Sequence, residues 1–403
     1  MKTKLLLAAA ALLASLPAAL AQLLIPSDGS DSAFNPASSI QIDLSQAVTG
    51  TWSDNNTANA GKGIYDQAKW AVVFKYSSVN IPAGVTVTFK NNISHAPVVW
   101  LVSGGVTIAG TVNLNGQNVA VGNNSIPTEP GPGGFRGGGA GVSGNGAGLG
   151  FGGTNAIQSN SAASSASYAS SYGNPSIIPL IGGSGQGSSA NISGPGGGGG
   201  GAILIAAPNN ISFTSPGAIT ANGGSGSAGG YGSGGAIRLI ANSIVGTGSL
   251  QAIAPSGVNP ATDGRIRIES NSFPATVVPQ PQAFALPPAN PPVIWPASNA
   301  PSVKIVSVSA IAAPTYPTGS LDTVTDVAIS VNAPTQVILQ TQNFPTNGTV
   351  QVRAASKFVT GTPNTPTFTT ATLQSGNANS ALWTATIPFT TGFTTLQARA
   401  TVP

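Results

Sequence analysis

The residues with the most potential for chemistry form a charged cluster late in the chain. Asp263, Arg265, Arg267 and Glu269 lie within seven positions and make the densest group of charges in the sequence. Such a group could hold a polar substrate, with Arg238 contributing from a similar segment upstream. The simpler interpretation is a salt-bridged face exposed to solvent, in which each ion pair contributes up to about 1 kcal/mol.

Aromatic side chains could add the flat surfaces on which sugar rings stack. Trp100 is the best candidate by sequence, and the weaker candidates are Trp52, Trp70, Phe135 and Tyr231. An aromatic side chain can equally well cover a neighbouring loop, and a long Gly-rich stretch follows Trp100. The predicted carbohydrate-binding residues are therefore Trp100, Arg238, Asp263, Arg265 and Arg267.

Acid–base and metal chemistry find little support. Hydrolysis of a glycoside needs two carboxyl groups flanking the bond, and a hard cation needs several oxygen ligands. Between Gln67 and Thr262, Glu129 is the only acidic residue. His95 is the only histidine, and without a second ligand or a paired acid we interpret it as a loop residue. The sequence thus predicts no catalytic residue, no metal site and no cofactor.

Nucleophile and nucleotide motifs lack their structural context. The string Gly-Ser-Gly-Gln-Gly at 183–187 has no strand-to-helix turn of the kind that exposes a catalytic serine. The Gly-rich strings are not followed by a helix or by the Lys-Ser/Thr pair of a phosphate loop.

The amino-terminal residues have the layout of a secretory signal peptide. Lys2 and Lys4 precede an apolar run over 5–16, and small residues precede Gln22. We expect residues 1–21 to be removed and the mature protein to be secreted, either outside the cell or at its surface. The chain has no cysteine, so burial and backbone pairing must replace disulfides, which favours a bacterial exoprotein.

The charge balance excludes two classes of partner. Without Lys2 and Lys4, twelve basic and ten acidic residues remain, a formal charge of +2 spread thinly along the chain. Nucleic acid and anionic membranes would find no basic patch. No later apolar run is long enough to span a bilayer, so no membrane insertion is expected after signal removal.

Four similar segments between Pro97 and Glu269 indicate stacked repeats. Each joins a β-branched apolar run to a Gly-rich break, and such recurrence is typical of a solenoid. The segments are Pro97–Val102, Gly201–Ala206, Gly235–Ala241 and Gly264–Glu269. Their alignment gives two inward columns and one outward column. The inward columns are Val99, Ile203, Ile237, Ile266 and Leu101, Ile205, Leu239, Ile268; the outward column is Trp100, Leu204, Arg238 and Arg267.

Glycine marks two further features of the repeats. Gly110, Gly217 and Gly248 fall at the bend between two short strands, where φ is positive or neighbouring backbones approach closely. Between Gly131 and Gly235 lie 34 of the 53 glycines, with a Ser/Ala-rich run at 159–171. This stretch is either a loosely packed insertion or an ordered array of polyproline-II-like segments.

The remaining sequence divides into a cap, a linker and a second domain. Residues 22–67 are a capping segment for a Gly-rich solenoid at 68–273. Nine prolines between Pro274 and Pro301 predict an extended linker at 274–301. Residues 302–403 read as about seven strands of an immunoglobulin- or fibronectin-III-like β-sandwich. The strands are expected at Val303–Ala310, Val327–Val331, Gln336–Gln342, Gly348–Ala354, Phe368–Leu373, Leu382–Ile387 and Thr394–Val402.

Several segments resemble a known family. Val79–Thr88, Val106–Gly116, Ser233–Ala241 and Gly264–Ile268 are similar to secreted bacterial Gly-rich proteins of the pectin-lyase-like superfamily, over roughly residues 76–270. The resemblance implies an all-β fold with a right-handed parallel β-helix, here followed by an immunoglobulin-like module. Pectate-lyase-type members use Ca²⁺-binding carboxylates with a basic residue and polygalacturonase-type members use clustered aspartates, neither of which this sequence supplies.

Three hypotheses about function follow. The first is a non-enzymatic, secreted structural, adhesive or matrix protein of the cell surface, whose partners are extracellular polysaccharide or other surface proteins. The second is a polysaccharide-binding protein or a degenerate pectate-lyase-like carbohydrate-active enzyme. The third is an ice-binding surface, suggested by Thr86, Thr88, Thr107 and Thr111, which do not repeat as a column.

Overall fold

The computed structural model describes residues 22–119, 126–141, 144–145, 147–150, 152–153, 169–188, 194–226, 231–255, 263–319, 324–330, 333–357, 367–389 and 391–403. The predicted signal peptide and most of the Ser/Ala-rich run lie outside these ranges. The described residues form an all-β protein with two short 3₁₀ helices, at Leu44–Gln46 and Thr57–Asn59.

Three sheets, parallel except at one edge, are built from strands between Ala33 and Leu286. The five-stranded sheet contains β1 (Ala33–Phe34), β6 (Ser78–Ile81), β9 (Val106–Ile108), β14 (Asn210–Phe213) and β17 (Ser243–Gly246). The six-stranded sheet contains β2 (Ile40–Asp43), β7 (Thr86–Lys90), β10 (Thr111–Asn113), β15 (Ala218–Thr220), β18 (Gly248–Gln251) and β20 (Val277–Gln280). The eight-stranded sheet contains β3 (Val48–Thr49), β4 (Ile64–Asp66), β5 (Ala71–Tyr76), β8 (Val98–Val102), β13 (Ala202–Ala206), β16 (Ala236–Ile240), β19 (Arg265–Glu269) and β21 (Phe284–Leu286). Only β4 and β5 pair antiparallel within these sheets.

The chain visits the three sheets in rotation. From β5 to β18 it passes through the eight-, five- and six-stranded sheets in that order, so strands of successive passes become neighbours. Ile203, for example, pairs with Ile237, which pairs with Ile266. These isoleucines and their equivalents face one another in a common core that a single pass could not bury. The predicted stacking is therefore present for Ile203, Ile237 and Ile266 and for Ile205, Leu239 and Ile268, whereas Val99 and Leu101, predicted in the same columns, lie on the other side of the sheet.

The outer side of the eight-stranded sheet is also covered. Val99, Leu204 and Ile240 form a second cluster on this side, closed by residues 23–25 and 294–295. Leu24 N–H donates to Asn290 Oδ1 at 2.9 Å, which ties the two covering segments together. Prediction had placed an extended linker at 274–301. Instead, β20 and β21 continue the sheets. Residues 290–295, called here the strap, then lie against the outer side of the eight-stranded sheet.

The glycine-rich region is packed backbone to backbone. Segment 181–187 hydrogen-bonds with four other segments, whereas a strand within a sheet has two neighbours. Its bonds are Phe135 N–H to Gly183 O, Gly183 N–H to Gly200 O, Gly185 N–H to Leu149 O and Ser233 N–H to Ser184 O, at 2.7–3.0 Å. A Cβ on Gly199 would lie 2.0 Å from Gly183 O, so no side chain fits there. The described glycine segments thus follow the ordered alternative.

Residues 302–403 form two antiparallel sheets around their own core. One contains β22 (Ser302–Val308), β23 (Ile311–Ala312), β24 (Thr335–Gln342), β27 (Thr372–Gly376) and β28 (Ser380–Ile387). The other contains β25 (Thr349–Ser356), β26 (Thr369–Thr370) and β29 (Thr394–Thr401). Trp383 is buried between them and donates to Thr341 Oγ1 at 2.9 Å. Residues 327–330 form no strand, contrary to prediction. A two-stranded hairpin, β11 (Ala140–Gly141) and β12 (Gly144–Asn145), lies apart from these sheets.

Candidate functional site

Trp100 is not on the surface. The structure pairs Val98 with Ile203 and Trp100 with Ile205, one position away from the predicted alignment. Trp100 is therefore fully buried in the common core, where it meets the rings of Tyr76 and Phe34. The segment at 97–102 is apolar at every position, so no polar residue fixes the phase of its alternation. The prediction of an outward Trp100 was wrong.

The predicted charged face is covered rather than open. Arg238 is 1% exposed, and the strap lies over it, with the carbonyl of Val293 accepting from its Nη2 at 2.6 Å. The Glu269 carboxylate accepts from Arg238 Nε at 2.8 Å and from Arg267 Nε at 2.7 Å. Burial lowers the pKa of Arg238, and the charge of Glu269 opposes this shift. These residues form a buried ion cluster that fixes the strap.

The other predicted residues do not extend this cluster into a surface site. Asp263 is exposed and accepts from the backbone of Ala254 at 2.9 Å. Arg265 is half-buried at the start of β19. Arg267 packs its guanidinium 5.6 Å from the ring centroid of Phe284. Of the five predicted residues, Arg238 and Arg267 are brought together, and Trp100 faces the opposite side of the sheet.

The outer surface of the six-stranded sheet, called here the polar face, carries mainly hydroxyl and amide side chains, with the Asp43–Lys90 ion pair at the ends of β2 and β7. Its side chains alternate with the buried Val87, Val112, Ile219 and Leu250. One column consists of Gln41, Thr88, Asn113, Thr220, Gln251 and Gln280. The parallel column consists of Thr86, Thr111, Ala218, Ser249 and Val278. Six strands at about 4.8 Å spacing make a surface about 24 Å long. Its hydroxyl and amide groups can both donate and accept hydrogen bonds.

A cavity of about 1070 Å³ lies between the glycine-rich region and the carboxy-terminal sheets. One wall carries Trp70, Ser94, His95, Phe135 and Arg136; the other is largely apolar and includes Ile305, Val306, Ile329, Phe389, Phe393 and Leu396. This volume is at the upper end of typical ligand pockets.

An ion cluster lies on the first wall of the cavity. His95 Nε2 is 3.0 Å from Glu129 Oε2, and Arg136 Nη2 contacts Glu129 Oε1. Burial raises the pKa of Glu129, but the hydrogen bond from His95 and the charges of His95 and Arg136 outweigh it and lower that pKa overall. Each of the three side chains keeps between 18% and 33% of its surface exposed. His95 and Arg136, which line the cavity, can therefore reach a ligand there.

Two aromatic rings lie beside this cluster. The ring centroids of Trp70 and Phe135 are 6.3 Å apart, and Phe135 is backed by Tyr172 at 5.8 Å. Trp70 Nε1 donates to Ser94 O at 2.9 Å, which fixes the indole. Both rings are half-buried. Trp70 and Phe135 were the weaker aromatic candidates in the sequence, and here they share one wall.

The two walls are held together by Arg353, whose hydrogen bonds go to backbone carbonyl groups and to a side-chain amide oxygen. Arg353 is 3% exposed and donates to carbonyl groups of Gly148, Gly150 and Gly153 and to Gln397 Oε1. Burial, together with the charge of Arg399, lowers its pKa to about 10. The carboxy-terminal sheets are thus docked on the glycine-rich region, and the cavity is part of that junction.

Sequence reasoning missed the pairing of His95 with Glu129. The two residues are 34 positions apart, and Glu129 belongs to a Gly/Pro loop with no periodicity to locate it. A lone histidine and a lone glutamate within one repeat were the available signal. His95 therefore has a paired acid, Glu129, which the sequence alone did not reveal.

Wider comparisons add no assignment. Among the described residues, no group of three His, Cys, Asp or Glu side chains is placed to hold a metal ion. No helix in the described part of the chain has the length and apolar character to cross a membrane. No protein-family model, curated protein or solved structure matches the chain.

Proposed function

We propose that the protein is an exported, non-enzymatic adhesive or matrix protein that binds extracellular polysaccharide at the cell surface. In this proposal the three sheets form a right-handed parallel β-helix, and residues 302–403 form an immunoglobulin- or fibronectin-III-like module. The rotation of the chain through three parallel sheets supports the first assignment. Two antiparallel sheets around one core support the second.

The polar face is the observation that carries the proposal. It presents hydroxyl and amide groups at the regular spacing of the strands, and its columns contain no charged residue. A neutral polysaccharide presents a repeating array of hydroxyl groups that require both donors and acceptors. Adhesion to a polymer gains from many weak, equivalent contacts, which this face offers over about 24 Å.

Binding to insoluble polysaccharides tests the proposal directly. The purified protein should sediment with at least one of cellulose, xylan or chitin. Replacing Thr220 and Gln251 by lysine should weaken retention at least tenfold, because the long charged side chains cover the face and keep it from packing on the polymer. The matched control is Ser212→Lys on the outer side of β14, which should leave retention unchanged.

Three results would contradict the proposal. These are absence of binding to the whole panel, equal loss with the Ser212→Lys control, and release of sugar products by the purified protein. Thermal hysteresis in the absence of polysaccharide binding would instead assign the polar face to ice.

A further inference from the structure

The cavity between the glycine-rich region and the carboxy-terminal sheets has two chemically different walls. Its first wall combines the Trp70 and Phe135 rings with His95 and Arg136, both of which contact the Glu129 carboxylate. Its second wall is mostly apolar, and the nearby Asp326 carboxylate is engaged by Thr318 and Gly319 N–H groups at 2.9 and 2.8 Å. A ligand that fits must offer apolar faces to both walls and polar groups along one edge.

The ion cluster favours a neutral ligand over an anion. The positive charge of Arg136 is balanced by Glu129, with which it is in direct contact. A ligand carboxylate would have to compete with Glu129 for Arg136 and for His95. His95 and Arg136 offer N–H donors to the cavity, and neutral hydroxyl groups can accept from them without displacing Glu129. Neighbouring hydroxyl groups on one ring, which both donate and accept, complement that arrangement.

The aromatic pair supplies the complementary apolar surface. The two rings are inclined by 36° and present a broad face of half-buried carbon. Saccharide rings have C–H faces and hydroxyl edges, so their faces can stack on aromatic rings while their edges meet the ion cluster. The cavity volume accommodates several such rings.

Backbone conformation at this wall is unusual. Trp70 and His95 adopt φ values of +48° and +51°, in the left-handed region that non-glycine residues seldom occupy. The carbonyl of His95 accepts from Gly133 N–H at 2.7 Å, which couples its loop to the glycine-rich region. Two residues held at an energetic cost beside one cavity are typical of a binding site.

We propose that this cavity is a binding site for a short segment of a neutral oligosaccharide. The rings of Trp70 and Phe135 stack on the sugar faces, and His95 and Arg136, held in place by Glu129, bond the hydroxyl edge. This inference rests on the proposed function for its ligand class, and it adds a second site that acts separately from the polar face. The polar face holds the polymer surface, while the cavity holds a free chain segment.

Calorimetry with soluble β-linked hexasaccharides of glucose, xylose and mannose tests the site. At least one should bind the full protein, and Phe135→Ala should weaken binding at least tenfold. Phe284→Ala is the matched control, since it removes an exposed ring outside the cavity. Because Phe135→Ala also removes packing, Glu129→Gln provides a second variant of nearly equal shape, with an expected loss of fivefold or more. Asp54→Asn, which removes an exposed carboxylate outside both the cavity and the polar face, is its control.

The outcomes separate the two proposals. Loss of hexasaccharide binding with the cavity variants, together with unchanged sedimentation on insoluble polymer, supports the cavity site. Hexasaccharide binding that is lost with the polar-face variants and kept by the cavity variants overturns the cavity site and leaves the proposed function standing. Failure of every hexasaccharide to bind, or tighter binding of a uronic-acid hexamer than of its neutral counterpart, also overturns it.

Discussion

The parallel sheets and the glycine-rich region are ordered by opposite means. In the sheets, stacked aliphatic side chains such as Ile203 and Ile237 fill the interior. In the glycine-rich region the backbones themselves fill the space, and segment 181–187 bonds with four neighbours because no side chains separate them. The sheets are therefore destabilised by substitutions that remove side-chain atoms, and the glycine-rich region is destabilised by substitutions that add them. A region can therefore be densely packed without a hydrophobic core, provided that its backbone N–H and C=O groups are hydrogen-bonded to the surrounding segments.

The largest effect should come from removing atoms in the sheets. Ile237 is fully buried between Ile203 and Ile266. Ile237→Ala should lower the free energy of unfolding by about 4 kcal/mol, since it loses apolar burial and leaves a cavity. Chemical denaturation measures the change. Val245→Ala, on the exposed outer side of β17 at 36% exposure, should stay within about 0.5 kcal/mol, and similar losses for both would contradict the assignment of the core.

The next effect should come from adding one methyl group in the glycine-rich region. In Gly199→Ala the new Cβ would meet the carbonyl of Gly183, so we expect destabilisation of about 3 kcal/mol. Hydrogen exchange should locate the loss at the amides of segments 181–187 and 196–201. Gly105→Ala is the control, because its Cβ would meet nothing within 4 Å. If Gly199→Ala were as mild as this control, the segments would not be packed as described.

The smallest expected effect on stability comes from an ion pair beside the sheets. Charged residues are almost absent from the glycine-rich region. Burial raises the pKa of Asp28, but hydrogen bonds from Ser30 and the contact with Lys75 at 3.1 Å outweigh it and lower the pKa to about 2. Its stabilising contribution is complete above about pH 4 and is lost as pH falls towards 2.

Asp28→Asn should therefore reduce the loss of stability between pH 4 and pH 2. The side chain is 38% exposed, so solvent screening keeps the change small. Denaturation midpoints at pH 6, 4, 3 and 2 measure it. An unchanged dependence on pH in Asp28→Asn would show that this carboxylate contributes nothing.

Periodicity predicted the sheets well and failed where periodicity was missing. The columns at Ile203, Ile237 and Ile266 could be found because polar residues and glycines mark the phase of their repeats. The segment around Trp100 has no such mark, and the second apolar cluster outside its sheet makes both faces of the strand buried. A pattern of alternation cannot distinguish two buried faces.

Prolines and long-range contacts account for the other differences. Pro279 lies in β20 at the edge of the six-stranded sheet, where a missing N–H is tolerated, so proline content alone overestimated the linker. The cavity wall joins Trp70, His95, Phe135 and Arg136 across an irregular stretch of chain, and Glu129 contacts two of them. Each residue was visible in the sequence, and only the packing of glycine segments brings them together.

The bond between Leu24 and Asn290 joins two covering segments that are 266 residues apart in the chain. The cover on the outer side of the eight-stranded sheet is complete only with the later segment, because Ile294 and Trp295 pack on the same cluster as Leu23 and Ile25. A chain truncated before residue 290 would lack this part of the cover and would expose aliphatic side chains such as Leu204 and Ile240.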